Sequence, residues 1–437
     1  MLKTKSFFEQ WGLRGNPFSP KAIYAEDTPM IYVPEMFGDQ HEEFLRKFVL
    51  APLEDGQPLM GAVWSVLPGD PKARGFGKST LMGEEAKRIN RDFGFSTLVG
   101  LHVEEDDARQ NPVLASYVSF STRGSQAIAS IDAACFHLVR FLLRSADDKG
   151  VSVHQRLYER AAAELLKEGK AAPGHESQAI IQQVKTRFRK LAVTIDIRNL
   201  LDDYLNLLAS PDTERLEEFL SSSVSSWHHD RNGLKYLQIF VVLAELAKIQ
   251  HFTFFIDQVE DFTSVAQPAK IQKNVKIIRD ALLESEPFTS RASFVFQLHP
   301  AAYARMRDAW RHEDLQDLDY DSPLNAPFVV VLKGLEKFQW ARLLADRLLN
   351  DPANALPDRK RSLSPFTESS LKKVWQETKP KPRDFIRVLS LLMQLAKQRR
   401  VQDLDEAFVG TNLEAASARA RSDEEGDEES SSDDRLA

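Results

Sequence analysis

The sequence holds one cysteine in 437 residues, Cys135, so no disulfide can form within the chain. That excludes the small secreted domains that depend on such bridges and points to a cytosolic protein. No apolar run approaches the roughly 20 residues a membrane helix needs, so no membrane partner is expected. The opening MLKTKSFFEQWGL lacks an apolar signal core of adequate length. Zinc-type ligand spacings are missing, as are internal repeats and any nucleophile–histidine–acid constellation. Cys135 itself lies in SIDAACFHLVRFLL at helical spacing and reads as ordinary core.

Net charge is also scarcer than the total of −7 suggests. The stretch SDEEGDEESSSDDRLA, 422–437, holds eight acids and Arg435; without them, 57 basic and 64 acidic residues become 56 of each. The body is therefore neutral. The acidic stretch has almost nothing to bury and is expected to stay unfolded, either as a solubilising tail or as a nucleic-acid mimic competing for a basic groove.

What is present is the mixture of a soluble globular protein, 43% hydrophobic and 28% charged, long enough for two or three domains. GAVWSVLPG supplies a buried strand over 62–67, and STLMGEEAKRIN, 79–90, a helix. STLVGLHVEEDD, 96–107, is expected to be a second strand running into an acidic loop. From about 125 to 250, apolar residues recur at three- and four-residue steps, which predicts helices. HFTFFIDQVEDF, ASFVFQLHP and APFVVVLKG then add three strands. Strands alternating with helices argue for a parallel α/β sheet.

Between the first strand and helix stands GDPKARGFGKSTLM, 69–82. A phosphate loop works because small residues free backbone N–H groups to wrap phosphates, a lysine pairs with them, and a hydroxyl binds Mg²⁺. Gly75 and Gly77 permit the close approach, Lys78 is the cation, and Ser79 or Thr80 the hydroxyl. The glycine usual five residues before Gly77 is Lys72; Gly69 is a displaced substitute in a longer loop. About 180 residues later FTFFID ends in Asp257, a strand-end carboxylate suited to hold Mg²⁺ through water. Together they predict a nucleotide site with a modified rim, its cofactors ATP and Mg²⁺.

This order of motifs resembles the AAA+ ATPases, nearest to the initiator-like branch of origin-recognition, transposon target-selection and secretion-type ATPases. The resemblance covers roughly residues 7–405. It implies an α/β fold: a parallel-sheet P-loop AAA+ core with a large helical insertion and a small C-terminal helical lid. The implied division is 1–60 as an N-terminal strap and adenine-side segment, and 61–334 as the core with the insertion at about 105–250. The lid follows at 335–405 and the acidic tail at 422–437. In WGLRGNPFSP and IYVPEMFGDQHEEFLRKF, the adenine contacts implied are Tyr32, Val33 and Pro34. In FVFQLHP the γ-phosphate sensor is Gln297 or, by preference, His299. KPKPRDFIRVLSLLMQLA resembles the helix from which Arg383 reaches the phosphates. YARMRDAWRHEDL offers Arg305, Arg307 and Arg311 as a trans-acting arginine, which would make the active species a homo-oligomer.

One departure from the family stands out. The residue after Asp257, usually a glutamate that activates water, is Gln258, with Glu260 and Asp261 behind it. An amide can orient water but cannot take its proton, a service worth roughly 10²–10⁴-fold. Either Glu260 takes over, or hydrolysis is slow and ATP is a long-lived assembly signal. The resemblance also implies double-stranded DNA as a partner, and basic clusters occur at KTRFRK (185–190), DRKR (358–361) and KQRR (397–400). Too few residues follow the expected lid for a DNA-reading domain, so sequence-specific binding is not expected. Two functions follow. One is an oligomeric, DNA-associated ATPase adaptor recruiting an effector such as a nuclease or transposase, in a mobile-element or defence setting. The other is a signalling or scaffold ATPase whose insertion binds a protein without nucleic acid.

Overall fold

The computed structural model describes residues 7–18, 32–56, 60–65, 74–120, 128, 130–188, 195–222, 226–259, 268–297, 300–315 and 328–429. For 195–197, 226, 227, 230, 300–303, 305 and 423–429 it describes the backbone alone. The chain forms two compact units, one of 42–64 and 81–331, the other of 1–41, 65–80 and 332–437. Among the described residues no helix is long and apolar enough to cross a membrane.

The first unit is built on a parallel five-stranded sheet in the order β2-β3-β4-β1-β5. The strands are β1 (Met60–Ser65), β2 (Val113–Ser119), β3 (His251–Asp257), β4 (Ala292–Gln297) and β5 (Val329–Leu332). β1 pairs with β4 through Met60↔Phe294 to Val63↔Gln297, and β3 lies against β2 through Val113↔His251 to Ser119↔Asp257. Every residue of β3 is buried, as in a sheet covered on both faces. The order makes the chain reverse: it leaves β1 for the far edge, steps back through β3 and β4, and then passes β1 to reach β5. Sheets of this kind place ligands outside the C-terminal strand ends near such a reversal. Asp257 and Gln297 lie at that edge, and the glycine-rich loop follows β1 in the chain.

Helix α1 (Lys78–Arg91) follows that loop. The expected second strand is not where its apolar residues suggested: that stretch forms two short helices, α2 (Phe95–Gly100) and α3 (Glu105–Gln110). The cause is local. Phe93 and Gly94 both have positive φ, and the Asp92 carboxylate accepts from Ser96 N and Ser96 Oγ, so the chain is turned and capped into helix. The strand comes later, in VLASYVS. Among the described residues six helices separate β2 from β3: α4 (Ile131–Arg144), α5 (Val153–Lys167), α6 (Glu176–Arg187), α7 (Ile195–Leu208), α8 (Thr213–Ser221) and α9 (Ser226–Leu246). The helical insertion is thus Ile131–Leu246, and β2 falls inside the stretch first assigned to it. α4 covers β2, where Ser116 Oγ donates to the Leu138 carbonyl at 2.8 Å. α9 crosses α4 at Gly233, where a Cβ would occupy the place of the Asp132 carbonyl. α10 (Pro268–Ile278) and α11 (Pro300–His312) flank β4 in the chain.

The second unit is mainly helical: α12 (Phe338–Asn350), α13 (Glu368–Thr378), α14 (Pro382–Arg399) and α15 (Glu406–Glu429). Its N-terminal segment is tied down by Trp11 Nε1 donating to the Gln402 carbonyl and by Asn16 Nδ2 donating to Ser390 Oγ at 2.9 Å. α15 lies against α13 and α14, and Arg421 pairs with Glu377 at 3.3 Å. The helical segment therefore continues past the expected lid end at 405, and its helix enters the acidic stretch as far as Glu429. Packing of the first part nucleates the helix, and elongation from an existing helix costs far less than nucleation, so it carries on through Gly426. Residues 430–437 lie outside the described residues.

Candidate functional site

The loop is described from Arg74 onward, so Gly69 and Lys72 fall outside the described residues. Gly75 and Gly77 both have φ of +83°, left-handed backbone that glycine adopts freely and other residues do not. A Cβ on Gly77 would also come within 3.0 Å of Met36 Cε and 3.1 Å of Phe37 Cζ. Phe76, between the glycines, is buried. α1 starts at Lys78, so the turn delivers the chain straight into a helix N-terminus, whose first N–H groups have no acceptor within the helix itself. Lys78 is only 7% exposed, and its Nζ donates to Ser65 Oγ, at the end of β1, at 2.6 Å. Ser79 and Thr80 are half-buried in the first turn. N–H donors at a helix start beside an ammonium form the donor set that a phosphate takes.

Two other sequence-predicted segments meet this loop within the same unit. Tyr32 leads through Val33 into the turn Pro34–Phe37, whose Met36 and Phe37 pack on Gly77; the Tyr32 and Phe37 rings are 6.4 Å apart. Arg383 stands in the first turn of α14 behind Pro382, and its backbone N–H donates to the Gly75 carbonyl at 3.2 Å. Gly334, just past β5, has φ of +68°, and a Cβ there would strike the Pro380 carbonyl. Leu335 N donates to that same carbonyl at 2.7 Å. The loop, the exit from β5 and the start of α14 thus interlock through backbone.

In the other unit Asp257 is fully buried at the end of β3. Its Oδ1 accepts from Gln258 N and its Oδ2 from Tyr117 Oη, each at 2.8 Å. Its carbonyl accepts from Phe120 N at 3.0 Å. Gln258 has φ of +52°, unusual for a residue with a side chain. Gln297 is buried, whereas Glu260, Asp261 and His299 lie outside the described residues. On α11, Arg307 approaches Asp308 at 3.8 Å and Arg311 is exposed; the Arg305 side chain is not described. Among the described residues no group of three or more His, Cys, Asp and Glu could hold a metal. One anchored carboxylate fits Mg²⁺, which keeps waters and phosphate oxygens as its other ligands, better than an ion needing a protein cage.

The basic clusters are already partly engaged. Lys185 pairs with Asp202 at 2.8 Å and Arg361 pairs with Asp346, while Arg359 donates to the carbonyls of Trp11, Ser362 and Ser364. Lys397 lies over the Phe8 ring at 5.4 Å; Lys360, Arg399 and Arg400 are exposed.

Sequence reading did not find Tyr117 or Ser65. Ser65 carries no signal beyond its place at a strand end, and Tyr117 lies 140 residues from the acid it touches. The chain is a parallel sheet flanked by helices, an α/β fold of the P-loop NTPase kind. No protein-family model matches it, and neither does any curated protein.

Proposed function

We propose that this chain is an ATP-binding ATPase of the AAA+ kind, acting as a nucleotide-switched, oligomeric, DNA-associated adaptor for an effector such as a nuclease or transposase. The observation that carries the reading is the loop: two left-handed glycines, then a buried lysine that opens a helix. On this reading Lys78 pairs with the β- and γ-phosphates, while Ser79 (or Thr80) and Asp257 hold Mg²⁺. Tyr32 and Val33 face the adenine, and Arg383 and His299 answer to the γ-phosphate. One of Arg305, Arg307 and Arg311 completes a neighbour's site. Bound ATP and Mg²⁺ supply a cleavable phosphoanhydride and a Lewis acid. Gln258 orients water without taking its proton, so either Glu260 is the base or turnover is slow.

Equilibrium binding of a fluorescent ATP analogue to wild type and Lys78→Ala tests the core of this reading. The wild type should bind and the variant should lose at least about tenfold in affinity, with an unchanged melting temperature; equal binding refutes the site. Sizing with and without ATP and double-stranded DNA tests the adaptor role. An ATP-dependent oligomer that ignores DNA would instead favour a scaffold whose insertion Ile131–Leu246 takes a protein partner.

A further inference from the structure

We infer that Tyr117 is a positioning residue for the Mg²⁺-holding carboxylate of Asp257; this rests on the nucleotide-site reading above. A tyrosine 2% exposed, its ring 6.3 Å from that of Phe141, could be a phenylalanine as far as packing goes. Its hydroxyl must be satisfied or its burial is penalised, and it is satisfied by Asp257 Oδ2 at 2.8 Å. The register explains how. Tyr117 is opposite Phe255 and Ser119 is opposite Asp257, so all four belong to one face of the sheet. The phenol therefore reaches along the strand direction by two residues, roughly 6.6 Å. A shorter polar residue at 117 could not.

Each Asp257 oxygen thus carries a donor, Tyr117 Oη on Oδ2 and the Gln258 N–H on Oδ1. Two donors on different oxygens stop the carboxylate turning about its Cβ–Cγ bond. Groups that orient a metal-binding side chain in this way typically govern affinity by roughly 10–100-fold.

The test titrates Mg²⁺ against binding of a fluorescent ATP analogue by the full chain, wild type and Tyr117→Phe. Tyr117→Phe should raise the Mg²⁺ concentration for half-maximal binding by about tenfold or more, and leave affinity in EDTA unchanged. A merely structural role would weaken both alike, and that outcome overturns the inference. So does an unchanged Mg²⁺ midpoint in Tyr117→Phe when the wild type shows Mg²⁺-dependent binding that Lys78→Ala abolishes. Wild-type chain that binds no nucleotide would defeat the site reading itself, and the inference with it. In an Asp257→Asn background, Tyr117→Phe should change the Mg²⁺ midpoint no further, and an additive effect would count against positioning. Should Tyr117→Phe not fold, Tyr117→Met removes the same donor with a more adaptable side chain.

Discussion

Gln258 combines two oddities: an amide where the AAA+ resemblance expects an acid, and a φ of +52°. Left-handed backbone at a residue with a side chain costs on the order of 1–3 kcal/mol and persists where its surroundings enforce it. If the amide stands in the place of the base, Gln258→Glu should raise steady-state hydrolysis by about a decade or more. If Glu260 is the base, Gln258→Glu should change little and Glu260→Gln should stop turnover. Fast hydrolysis surviving both substitutions would exclude both readings. Gly77 supports a sharper expectation. Gly77→Ala forces a Cβ onto left-handed backbone and to within about 3 Å of Met36 and Phe37, so nucleotide binding should be lost, with destabilisation of roughly 1–3 kcal/mol in urea unfolding. Wild-type affinity in that variant would show that the loop does not cradle phosphate.

β3 puts a titratable group as well as an acid into the sheet. His251 is buried at its start, with Nε2 2.9 Å from Ser293 Oγ. Burial, helped by the Arg291 charge, lowers its pKa to about 3. The unfolded chain, with a histidine near pKa 6.5, takes up a proton that the folded one refuses. Stability is therefore lost as pH falls below about 6.5, continues to fall towards about 3, and is unaffected by this group above 6.5. Between pH 7 and 5 the loss due to His251 should be about 2 kcal/mol. His251→Gln, which keeps a polar atom towards Ser293, should flatten the urea-midpoint dependence over that range by this amount. An identical pH slope in both proteins would show that the imidazole is protonated in the fold. Elements of this kind are legible because a continuous apolar run has few alternatives: β3, β4 and β5 lie where their apolar runs place them, and most insertion helices where periodicity does, whereas α8 (Thr213–Ser221) carries no such stretch of its own. β2 is not legible, because STLVGLHV has strand-like residues but Asp92 caps it into helix, an interaction no apolar pattern encodes. Lys78 and Asp257 could be singled out by motif. The Tyr117 hydrogen bond and the backbone of Gln258 could not, since one depends on strand register and the other on a single dihedral angle.

At the scale of the whole chain, charge is separated along the sequence: a neutral body carries a C-terminal stretch of net −7. Helix α15 takes the backbone into this stretch as far as Glu429, and Arg421, the last basic residue before it, pairs with Glu377. Removing 423–437 leaves that pair and the contacts of α15 with α13 and α14 in place. Thermal stability should therefore hold to within the half kcal/mol or so usual for surface changes. DNA affinity, on the proposed adaptor reading, should rise, because eight acids tethered to the body compete with phosphates for the exposed Lys360, Arg399 and Arg400. The gain should be largest at low salt and shrink as the Debye length falls from about 30 Å at 0.01 M to about 8 Å at 0.15 M. Titrating labelled duplex DNA with full-length and truncated chains at both salt concentrations checks this. A melting temperature that drops on truncation would mean that residues beyond Ser422 are packed. Equal affinity of the two chains at 0.01 M salt would leave the acidic stretch no part in nucleic-acid competition, and its charge would then serve solubility alone.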